Sequence, residues 1–148
     1  MVIWSEKALG EAALAGGERR IVGRLVDRLW RELGDDLRAV WLYGSRARGE
    51  ADPGERDPDR RSDVDLLAII DPSHDARKLN WWALPMVEEE ADAAGDSPVY
   101  YSLRVFDTEW LRERREVRSF FIQEVDRDKL VLYGGALEDL GSDRQSAA

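Results

Sequence analysis

Apolar and polar residues alternate along this chain with two different periods. From Glu18 onward, Ile21, Val22, Leu25, Val26, Leu29, Trp30 and Leu33 recur at spacings of three and four, with five arginines between them. That is the pattern of an amphipathic helix, and Gly34 is suited to end it. Ser5 with Glu6 reads as a helix start, so Lys7 to Ala15 predicts a shorter helix before Gly16-Gly17 interrupts it. Two apolar runs of strand length come next, Leu37 to Tyr43 and Val64 to Ile70. The first is closed by Gly44-Ser45 and the second by Asp71-Pro72-Ser73. Asp75 to Ala94 predicts a helix with Leu79, Trp82, Met86 and Ala93 near helical spacing. Pro85 inside it predicts a kink or two shorter pieces. After a turn at Gly95-Asp96-Ser97-Pro98, Val99 to Phe106 predicts a third strand. Asp107 is placed to cap a helix from Thr108 to about Asp128, whose buried stripe includes Leu111, Val117, Phe120, Phe121 and Val125. Leu130 to Tyr133 predicts a short last strand. The chain thus divides into a helical arm (1–17), one domain (18–134) and a small, polar tail (135–148) whose end, Ser142 to Ala148, is expected to fray.

Composition narrows the function classes. The chain has 148 residues, enough to bury one core, and no internal repeat. Its formal charge of -9 argues against general affinity for nucleic acid or anionic membranes, though not against a local nucleotide pocket. It has no cysteine, which removes disulfides, thiol catalysis and cysteine-metal sites. The first residues lack the pattern of a signal peptide and no segment is apolar enough to span a membrane, so a soluble, cytoplasmic domain is expected.

The candidate chemistry lies around the first two strands. In a strand, residues two apart face the same side, so Asp63 and Asp65 point together while Val64 points away. Two neighbouring carboxylates repel, and a cation between them relieves this. Oxygen-only ligands suit Mg²⁺, which binds through one or two carboxylates plus substrate phosphates. Gly44-Ser45 lets backbone approach a ligand, a helix starting there offers N–H groups to phosphate, and Arg46 and Arg48 add positive charge. Alone, that pair reads as a tight turn with solvated arginines. Followed by Asp-x-Asp on the next strand, it reads as a phosphate and metal site. Among other features, His74 has no partners at ligand spacing. Trp82 reads as core, and Trp81 as exposed and marking a protein interface. Arg112, Arg114, Arg115 and Arg118 alternate with glutamates as a solvated, salt-bridged face.

Leu42-Tyr43-Gly44-Ser45-Arg46-Ala47-Arg48-Gly49, followed by Ser62-Asp63-Val64-Asp65-Leu66-Leu67, resembles the minimal nucleotidyltransferase (MNT) domains of the DNA polymerase beta superfamily. The resemblance covers roughly residues 20 to 133 and includes the closing Leu130-Val131-Leu132-Tyr133-Gly134. It implies an α/β (α+β) fold, a small mixed sheet of three to four strands with helices mainly on one face. Gly44 and Ser45, with Arg46 and Arg48, would hold a nucleoside triphosphate such as ATP, and Asp63 and Asp65 would bind Mg²⁺ and carry catalysis. A nucleoside monophosphate would pass to an acceptor hydroxyl and release pyrophosphate. Active relatives usually carry a third carboxylate on the next strand, and here there is none. By alternation Tyr101, Leu103 and Val105 form its apolar face, so Tyr100, Ser102 and Arg104 would look toward the site. The stretch from Ser45 to Asp63 is also longer than in most such domains, with Ala51 to Arg61 expected as a loop.

The small size fits the MNT antitoxins that pair with HEPN ribonuclease toxins and transfer AMP to them. Two other readings stand beside it. One is a catalytically impaired protein of the same fold that neutralises its toxin by contact. The other is an antibiotic nucleotidyltransferase, which would normally carry a second, helical domain. Self-association into a homo-oligomer is compatible with all three.

Overall fold

The computed structural model describes residues 2–50, 62–94 and 99–141. The loop expected at 51–61, the turn at 95–98 and the end at 142–148 lie outside them. Four strands form one mixed sheet in the order β3-β2-β1-β4, with β1 at Leu37–Tyr43, β2 at Val64–Ile70, β3 at Tyr101–Asp107 and β4 at Leu130–Gly134. β1 runs antiparallel to β2 and β4, and β2 runs parallel to β3. The helices among the described residues are α1 (Glu6–Glu11), α2 (Gly16–Leu33), the single turn α3 (Ser45–Arg48), α4 (Ala76–Ala93), α5 (Thr108–Glu116) and α6 (Phe120–Asp128). This is the expected mixed sheet with its helices.

Alternation along the central strands gives the sheet two apolar faces. Val40, Leu42, Val64, Leu66, Ala68, Ile70 and Val105 pack with α1, α2 and α4 in the larger core. Ala39, Trp41, Leu67 and Ile69 meet Leu111 of α5 and Ile122 and Val125 of α6 in a smaller one. The two long helices therefore share one face. In α2 the apolar stripe is buried as patterned except Trp30, which is 38% exposed. α4 is a single helix rather than two pieces. Pro85 lies on its exposed side, where the carbonyl that lacks an N–H partner can be met by water. Trp82 packs against the larger core, whereas Trp81 is 75% exposed.

The structure departs from the sequence pattern at both ends and near residue 118. Residues 2–17 are not a separate arm. Ser5 N–H donates to the Leu132 carbonyl at 2.7 Å, and Leu9, Ala12 and Leu14 are buried in the larger core. The helix expected over 108–128 is two helices, broken where Arg118 takes φ 53° and Ser119 caps α6, its Oγ accepting from Ile122 N–H at 3.3 Å. The break changes the phase of the stripe. Leu111 and Val125 stay buried, but Val117 and Phe120 are exposed.

Arg115 is not part of a solvated face either. Its guanidinium donates to both Asp126 oxygens (2.9 and 2.8 Å) and to the carbonyls of Ala136, Leu137 and Leu140. The chain after β4 is thereby fastened over the smaller core, where Trp41 Nε1 also donates to Gly135 O at 2.8 Å. At the sheet edge, the Asn80 carboxamide takes the place of a strand. It donates to Val105 O at 2.9 Å and accepts from Val105 N–H at 2.8 Å. No helix among the described residues is long and apolar enough to cross a membrane.

Replacing Asn80 by Leu leaves both Val105 groups without that partner, and equilibrium unfolding should show a loss of about 1–3 kcal/mol. Burial alone would raise the Asp126 carboxyl, but the bonds from Arg115 and Lys129 outweigh it and hold the group below its usual range. A carboxyl lowered in the folded state contributes stability above its unfolded value of about 3.9, lost as pH falls through the folded value. Arg115→Gln should therefore cost about 2–3 kcal/mol at neutral pH and flatten the acid limb of a Tm-against-pH curve.

Candidate active site

The carboxylate pair stands at the start of β2. Val64 is fully buried in the larger core, which turns Asp63 and Asp65 to the opposite side. Asp65 pairs with Tyr43 on one side and Ser102 on the other, so the three strands meet at its level. Gly44, at φ 78°, ends β1 beside it. A Cβ on Gly44 would lie 2.7 Å from Asp65 Oδ2 and displace that carboxylate, and the positive φ there also favours glycine.

Tyr43, Asp63, Asp65, Ser102, Arg104 and Phe121 line a cleft of about 690 Å³, reached also by Tyr100 and by Leu84 and Glu88 of α4. That volume is in the range of small-molecule sites. Burial and then the Asp63 charge push the Asp65 carboxyl up, opposed by the charge of Arg104. Burial, followed by the Asp65 charge, raises the Tyr43 hydroxyl to about 12, so it stays a neutral donor and acceptor. The Tyr43 ring meets Phe121 edge-on at 5.5 Å, and the Arg104 guanidinium lies 5.7 Å from the Phe121 ring centroid.

The residues expected to bind nucleotide are placed differently from one another. Gly44 and Ser45 form the turn leading into α3, a single helical turn closed by Gly49. Arg48 is exposed and paired with Glu50 at 2.9 Å and Asp128 at 3.4 Å. Arg46 is 1% exposed and does not face the cleft. Its Nε donates to Ser62 Oγ (3.0 Å), Nη1 to Ala13 O (3.0 Å) and Glu18 Oε1 (2.7 Å), and Nη2 to Glu18 Oε2 (3.2 Å) and Ser62 O (3.0 Å). A guanidinium has five N–H donors, and here all are engaged within the protein. Arg46, expected as a nucleotide ligand, thus has its donors engaged by Ala13, Glu18 and Ser62. Tyr100, just before β3, and Ser102 and Arg104 on it line the cleft, and so do Tyr101 and Leu103, which alternation assigns to the apolar face.

Among the described residues, no group of three or more His, Cys, Asp or Glu side chains is arranged to hold a metal ion. Two carboxylates suit Mg²⁺ when substrate phosphates and water complete its oxygen shell. The donor set thus fits a metal that arrives with a nucleotide. Several lining residues were not read from the sequence as part of the site, among them Tyr43, Phe121 and Glu88. Tyr43 could have been found from its place beside Gly44, whereas Phe121 and Glu88 carry no local signal and depend on how α6 and α4 pack.

No protein-family model matches the chain, and no curated protein matches it. Solved structures similar to the chain at low identity include the following two. A toxin-antitoxin structure with AMP-PNP is 16% identical over 84% of this chain and 83% of that one, with a TM-score of 0.48. A protein from Sulfolobus solfataricus named as a nucleotidyltransferase is 18% identical over 84% and 82% of the two chains, with a TM-score of 0.41.

The Asp65 environment predicts a stability cost of the site. With divalent ions chelated, Asp65→Asn removes a half-buried charge crowded by Asp63. Calorimetry should show Tm rising by about 1–3 °C rather than falling.

Proposed function

We propose that this chain is a Mg²⁺-dependent nucleotidyltransferase that moves a nucleoside monophosphate, AMP from ATP, to a hydroxyl on a protein acceptor, as the antitoxin partner of a HEPN-type toxin. The observation that carries the reading is the fit of the Gly44 turn against Asp65, with Asp63 on the same side of β2. The turn lies against Asp65, and both carboxylates line the cleft of about 690 Å³. Asp63 and Asp65 would hold Mg²⁺, which supplies charge neutralisation on the triphosphate when bound. Gly44 and Ser45 would let the phosphates approach the backbone. Tyr43 and Ser102, beside Asp65, offer neutral hydroxyls for substrate oxygens. The acceptor oxygen would bond to the α-phosphorus as the bond to the β-phosphate oxygen breaks, and pyrophosphate would leave.

A second reading rests on Arg104. It brings a positive charge into the cleft on β3, where the resemblance leads one to expect a third carboxylate, and the protein would instead neutralise its toxin by contact. Incubation with Mg²⁺, labelled ATP and a HEPN protein encoded beside this chain separates the two. The enzyme predicts label on the partner, reduced about a hundredfold or more by Asp63→Asn or Asp65→Asn. Toxin neutralisation that survives both substitutions, with no label incorporated, would reject it in favour of binding.

A further inference from the structure

We propose that Arg46 is a positioning residue for the carboxylate pair, setting from behind the sheet where Asp63 stands at the entrance of β2. The inference rests on the metal-site reading of Asp63 and Asp65 and assigns a part to residues outside the cleft. Arg46 joins two stretches far apart in sequence, Ala13 and Glu18 around the start of α2 and Ser62 directly before Asp63. Its own backbone is held as well, because Ala13 N–H donates to Arg46 O at 2.9 Å. Glu18 is fixed in turn: its Oε1 accepts from Ala15 N–H at 2.7 Å and the residue is 8% exposed.

Asp63 consequently lies between two ties. On one side Ser62 is gripped through both its carbonyl and its hydroxyl, and on the other Val64 N–H donates to Tyr100 O at 3.0 Å. Asp63 itself is exposed, so packing does not orient it. A buried ion pair contributes little net stability compared with apolar side chains of the same volume, so stability alone is a weak reason for Glu18–Arg46. Geometry is a better one. Only a planar, five-donor fork can meet an acid, two carbonyls and a hydroxyl at once, and lysine cannot.

The test reads the affinity of the full chain for Mn²⁺ in the presence of a non-hydrolysable ATP analogue by electron paramagnetic resonance, alongside circular dichroism to confirm folding. Groups that orient metal ligands typically change metal affinity 10–100-fold when removed, so Arg46→Gln and Arg46→Lys should each weaken Mn²⁺ binding by about tenfold or more. Arg115→Gln loses an equally saturated arginine on the other face of the sheet, and should leave the affinity within about twofold of the parent. Folded Arg46 variants that bind as the parent does, or equal weakening in Arg115→Gln, would overturn the positioning role. Should the Arg46 variants not fold, Ser62→Ala decides. It removes one of the ties, so a loss of about threefold or more supports the role and an unchanged affinity rejects it. A parent chain whose Mn²⁺ binding is absent, or indifferent to Asp63→Asn, defeats the metal-site reading first and this inference with it.

Discussion

A guanidinium with no free donor holds this molecule's working end together. Arg46 lies within α3, pairs with the charge of Glu18 and reaches the backbone of Ala13 and Ser62. The start of the chain, the first long helix, the turn after β1 and the approach to β2 are therefore one connected piece. This explains why residues 2–17 belong to the core. They supply a wall against which the turn after β1 is set.

That setting brings together groups which would otherwise separate. Asp65 is crowded by burial and by Asp63, and it rests against a turn where a Cβ would displace its carboxylate. Neither condition favours the fold by itself. Both are tolerated because the strands beneath are anchored by two apolar cores, one on each face. Arg104 brings a positive charge to the same cleft, so part of the local negative charge is balanced by the protein itself. A metal entering there would compete with that arginine for the field of the aspartates.

Much of this arrangement is readable along the chain, and the exceptions have a common cause. β1 and β2 stand out as apolar runs bounded by Gly44 and by the aspartates, and period-two alternation pairs Asp63 with Asp65 and Ser102 with Arg104, although Tyr101 and Leu103 reach the cleft too. The same rule cannot see Arg46. In the motif it looks like a phosphate ligand, and its acidic partner lies 28 positions earlier. Arg115 is hidden in the same way, because its partners come from α6 and from the chain beyond β4. The break between α5 and α6 involves neither glycine nor proline. It depends on Arg118 adopting a left-handed backbone and on Ser119 capping α6. Local pattern reports which face a residue takes, but not which distant group will meet it there.

The carboxamide of Asn80 has one further consequence. β3 is an outer strand of the sheet and lies beside the cleft, where an incoming chain would most easily add itself as a fifth strand. At Val105 that position is already taken from within. An added strand would find the Val105 backbone groups occupied, and Trp81, Leu84 and Tyr100 stand exposed as side chains instead.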